Sequence, residues 1–220
     1  ADLFPFGRNA RIQLEHGGLN QMSEHYRTVT YWYGLPAASL IQTDRLAIGD
    51  LRSEQEHAYH SPGATEPQPG FGRRTTGSSE FTLNIDPENR GVMLRRTLDY
   101  DLPNQKAAIS IADADAMPPR WEPAGTWYLA GSTTYYHSSP THETDPPNPA
   151  IHKTDARLRD DEFLLPLRLT QGRKAIRVCV TFIPVDRPLL PGMPPQSSAW
   201  SEIDYTAHSW VTPSFTVPAR

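Results

Sequence analysis

Carboxylates and histidines are the first side chains to test for chemistry. The run "RDDEF" offers Asp160, Asp161 and Glu162, and a pair of carboxyl groups flanking a sugar ring is the apparatus of glycoside hydrolysis. Neighbours on a strand point to opposite faces, so they do not converge on one bond. The run therefore reads as a charged loop entering the strand "EFLLP". Asp113 and Asp115, in "ADADAM", suit a turn better than a cation site. The eight histidines include no HExxH pair and no cysteine partner, so no metal site is expected. His57 and His60, in "HAYH", read as solvated. No G-x-S-x-G occurs, and "GFGRRTTG" does not join a strand to a helix. Neither a serine nucleophile nor a phosphate loop is expected, and no cofactor is implied.

Bulk properties narrow the partners. A net charge of −4 over 220 residues and a pI near 6.1 argue against nucleic acid or an anionic membrane, since both demand clustered positive charge. No apolar run approaches the about 20 residues that a membrane helix needs. Apart from Lys106, Lys153 and Lys174 the basic residues are arginine, which favours planar, bidentate contacts. The single cysteine, Cys179, lies in "AIRVCVTFI" and reads as a buried, inert thiol. A chain that opens "ADLFPFG", without an initiator Met, reads as a processed product or a piece of something longer. The setting this favours is extracellular or periplasmic over cytoplasmic.

What must position any site is a set of strands. Residues alternate in "EFTLNI" (Phe81, Leu83, Ile85), "VMLRRTL" (Val92, Leu94, Leu98), "AAISIA" (Ala107, Ile109, Ile111) and "KAIRVCVTFIP" (Ile176, Val178, Val180, Phe182). "ARIQLE" and "SEIDYTAHSWV" alternate too, for eight to ten strands in all. The 22 prolines and 14 glycines leave few windows for a helix; the best short one spans about 37–46. The expected fold is all-β, an antiparallel sandwich or jelly roll. Residues 46–79 have linker composition, and 137–161 form a second long loop. The division is then terminal strands of an upstream or partner jelly roll over 1–45, a linker over 46–79, and a C-terminal sandwich over 80–220. The opening strands are too few to form a sheet alone and complete a second jelly roll outside this sandwich.

The aromatic content concentrates early. In "YRTVTYWYG", Tyr26 and Trp32 share one face with the threonines, while Val29, Tyr31 and Tyr33 take the other. Such a strand is either central in a core or an aromatic wall for sugar rings.

"DLFPFGRNARIQLEHGGLN" followed by "YRTVTYWYG" resembles the close of the catalytic domain of glycoside hydrolase family 172. "GVMLRRTLDY", "NQKAAISI", "AGTWYLAG", "DDEFLLP" and "AWSEIDYTAHSWV" resemble the accessory β-domain that follows it in longer members. The resemblance implies a jelly-roll enzyme that acts with retention on α-fructofuranosides or D-arabinofuranosides. It also implies trimers or hexamers with sites near subunit contacts, two catalytic glutamates and no metal. Those glutamates belong to motifs upstream of "DLFPF", and no residue here matches them, so no catalytic residue is assigned. By the resemblance, Glu15 and His16 shape a site edge and Trp32 is a sugar platform. The expected function is part of a furanosidase whose glutamates lie outside this chain; the alternative is a non-catalytic carbohydrate-binding or shell-forming jelly roll.

Overall fold

The structure is a computed structural model and describes residues 25–31, 40–138, 149–153, 157–186 and 198–212. Within them the chain runs β1 (Leu40–Ala47), α1 (Leu51–Glu56), β2 (Arg73–Thr75), β3 (Ser78–Asn84), β4 (Val92–Asp99), β5 (Gln105–Asp113) and β6 (Glu122–Leu129). It continues with β7 (Thr134–Ser138), β8 (Pro149–Lys153), β9 (Leu158–Leu165), a 3-10 turn (Leu167–Leu169), β10 (Ala175–Phe182), β11 (Trp200–Glu202) and β12 (Asp204–Trp210).

Two four-stranded antiparallel sheets form a sandwich, as the alternating apolar pattern requires. One has the order β1-β12-β4-β9 and the other β3-β10-β5-β6. The short pairs β11-β2 and β7-β8 stand beside them. Inward positions of the first sheet (Leu46, Val92, Leu94, Ala207, Leu165) and of the second (Leu83, Ile109, Ile111, Val178, Val180) meet in one buried cluster. Phe81 and Tyr205 join the sheets with ring centroids 4.5 Å apart, and Trp127 stacks on Phe163 at 5.4 Å. Carboxylates at three successive positions of β9, an edge strand, oppose pairing with another chain.

Several expectations give way to tertiary packing. Residues 40–47 are a strand and not a helix, because β12 pairs with them throughout; the described helix is α1, capped where the Asp50 side chain accepts from the Arg52 N–H. Residues 46–79 are not a free linker: they carry α1 and β2 and bury Leu46, Ile48, Glu54, His57 and Thr75. β1 itself belongs to the sandwich, so residues 40–45 are not strands of an upstream or partner jelly roll. The loop expected over 137–161 includes ends of the β7-β8 hairpin and the start of β9. Residues 25–31 form no strand, and Tyr26, Val29 and Tyr31 are exposed, against a core strand covered on both faces. The strands expected over 8–24 and at residues 32–33 lie outside the described residues. Cys179 is half-buried on the outer face of β10, and burial raises its thiol.

Candidate functional site

A polar grid covers the outer face of the first sheet. Along β12 the inward positions Tyr205, Ala207 and Ser209 are buried, which turns Asp204, Thr206, His208 and Trp210 outward. Cross-strand register sets three rows: Ala47, Asp204, Thr97 and Asp160; then Arg45, Thr206, Arg95 and Glu162; then Gln42, His208, Met93 and Leu164. A β-bulge between Gln42 and Asp44 puts Gln42 and Arg45 on the same face although they are three residues apart. At the usual strand spacings the grid measures about 14 Å across and about 13 Å along.

A cavity of about 510 Å³ opens over this face. Its far rim is the loop before β2, where Gln68 and Gly72 pair backbone to backbone and present Gly70 and Gly72 to the cavity. Gly72 has φ +60°, and a Cβ there would fall 1.9 Å from the Glu202 carbonyl oxygen. Only glycine allows that approach.

Donors and acceptors on the grid are partly spent on each other. The Arg45 Nε donates to Asp204, Arg95 donates to Glu162 Oε1 at 2.8 and 3.1 Å, and the Thr97 hydroxyl donates to Asp160 at 2.7 Å. Each pair holds its partner in place, and Arg45, Arg95, Thr97, Asp160 and Asp204 line the cavity. Thr206 Oγ1 and His208 Nδ1, both buried, have no hydrogen-bond partner. Partial burial, then the Arg95 charge, push the His208 imidazole down, with Glu162 opposing. A neutral imidazole both donates and accepts. The face thus presents mixed donors and acceptors, and the two unmet polar atoms lie beneath its surface.

Beneath the grid lies a buried polar network. Glu202, fully buried, accepts from Tyr59 at 2.7 Å, Ser79 at 2.7 Å and Tyr205 at 2.9 Å. Burial pushes its carboxyl up, against the pull of these hydroxyls and the Arg96 charge. Arg96 is itself fully buried and donates to Asp161 at 2.7 and 3.0 Å and to Gln105 at 3.1 Å. Asp99 takes two bonds from Arg157 and one from Arg74, each at 2.9 Å. Among the described residues, the carboxyl raised by its surroundings is that of Glu202, and it is sealed from any sugar.

Glu15, His16 and Trp32 lie outside the described residues. The acidic run divides as strand geometry requires: Asp160 and Glu162 face the grid, while Asp161 turns inward to Arg96. It is strand and not loop, since β9 begins at Leu158. Asp113 makes the expected turn, accepting from the Asp115 N–H at 3.1 Å. His57 is buried and not solvated, its ring nitrogens 2.6 Å from the Ser53 carbonyl oxygen and 3.1 Å from Asp44. Sequence reasoning missed Arg45, Arg95, Asp204, Thr206 and His208; their polar outward parity is visible, but the adjacency of their strands is not. Among the described residues no group of three or more His, Cys, Asp or Glu is placed to hold a metal ion, and no helix is long and apolar enough to cross a membrane.

Comparison with models of known families, with curated proteins and with solved structures gave no match.

Proposed function

We propose that this chain is a carbohydrate-binding β-sandwich, the accessory part of a furanoside-acting, retaining glycoside hydrolase whose catalytic glutamates come from outside this chain. The observation that carries the reading is the cavity of about 510 Å³ over the arginine, carboxylate, threonine and histidine grid. Sugar hydroxyls donate and accept at once, and guanidinium N–H groups beside carboxylate oxygens suit them better than a simple anion or cation. On the resemblance, the sugar is an α-fructofuranoside or D-arabinofuranoside, and the assembly is a trimer or hexamer.

Calorimetric titration of the purified chain with D-arabinofuranosyl and fructofuranosyl oligosaccharides tests the reading. Saturable binding is expected, weakened at least tenfold by Asp204→Ala or Arg95→Ala, with no release of sugar. Absence of binding to both series refutes carbohydrate recognition. Turnover of an aryl furanoside by this chain alone refutes the non-catalytic assignment.

A further inference from the structure

Resting on the carbohydrate reading, we infer that the ligand of this face is a glycoside with an apolar aglycone, its sugar in the cavity and its aglycone along the far end of the same sheet. The face changes character along β12. The rows of Asp204 and Thr206 are polar from edge to edge except for Ala47. The next row pairs Gln42 and His208 with Met93 and Leu164, and beyond it Leu40 pairs with Trp210.

Leu164 is 65% exposed and Trp210 45% exposed, and both stand on the cavity's own face. From Asp204 to Trp210 the strand spans about 20 Å, room for a sugar followed by a chain of carbons. Exposed apolar side chains on the same sheet face as a polar cavity are suited to a molecule amphipathic in the same sense. An oligosaccharide would stack on Trp210 but would leave Leu164 and Met93 against hydroxyls.

The experiment compares methyl α-D-arabinofuranoside with octyl α-D-arabinofuranoside, below the latter's micellar concentration, by calorimetric titration. The octyl compound is expected to bind at least tenfold more tightly, a modest demand if most of the added methylenes leave water. Leu164→Ser and Trp210→Ala, both at exposed positions, are expected to remove most of that gain and leave the methyl compound unaffected. Equal affinity for the two compounds overturns the inference and leaves sugar recognition standing. A gain that survives in the Leu164→Ser, Trp210→Ala double variant overturns it too, since the chain then binds elsewhere. Failure of both compounds to bind overturns this inference together with the reading it rests on.

Discussion

The guanidinium carbon of Arg96 lies 3.4 Å from the centroid of the Trp200 ring, and both side chains are fully buried. Trp127 flanks the same cation at 5.3 Å, so a charge is held in the middle of the sandwich by aromatic faces and one bidentate carboxylate. Removing one member of a buried pair leaves the other uncompensated, at a cost of about 3–5 kcal/mol. Arg96→Ala is therefore expected to lower unfolding free energy by about that amount in urea denaturation, and the double variant Arg96→Met, Asp161→Leu by clearly less. A loss below about 1 kcal/mol for the alanine variant would show that the pair contributes little.

Asp99 gives the fold an acid-sensitive clasp. Burial alone would raise its carboxyl; Arg157, the Asp101 N–H and Arg74 outweigh burial and hold it below the usual carboxylate range. A depressed carboxylate stabilises above its unfolded pKa of about 4 and loses that contribution as pH falls through the lower folded value. The stability difference between wild type and Asp99→Asn should thus be full at pH 6 and shrink below pH about 4. A difference that stays constant from pH 6 to pH 2.5 would exclude the linkage.

Glu202 has the opposite sign. Its folded carboxyl is raised by burial, so its ionisation costs nothing below the unfolded pKa and progressively destabilises the fold as pH rises toward the folded value. Relative to Glu202→Gln, wild type should lose stability on going from pH 4 to pH 8. Thermal melts of the two proteins across that range decide it, and parallel curves would count against a raised carboxyl.

Gly72 carries a steric prediction. A methyl group there meets the Glu202 carbonyl oxygen in a left-handed backbone conformation, so Gly72→Ala should cost about 2 kcal/mol or more. Gly70, whose Cβ would meet open space, should tolerate alanine with a smaller loss. If chemical denaturation ranks the two variants the other way, the rim is not packed as described.

The strands of the sandwich were legible because period-2 alternation survives in β3, β4, β5, β10 and β12. The same parity that places Val92, Leu94 and Leu98 inward also places Arg96 there, a sign that the charge is buried. Asp50 before Leu51 is a helix-capping signal in a segment whose composition otherwise reads as linker. The grid was not legible. It needs β12 beside both β1 and β4, and pairings between residues separated by more than a hundred positions leave no local trace. The bulge at Gln42 hid Arg45 further, since strict alternation from Gln42 would turn it to the wrong face. His57 misled for a related reason: its burial depends on Asp44, supplied by a strand that propensity alone had assigned to a helix.

The contact between Gly72 and the Glu202 backbone has a kinetic corollary. Because the rim rests on a residue whose side chain is anchored by three hydroxyls, the cavity is preorganised. On the carbohydrate-binding proposal, binding would then require little loop ordering, and its entropy cost would fall mainly on the ligand. Association should accordingly be a single fast phase, with variants of the grid acting through dissociation.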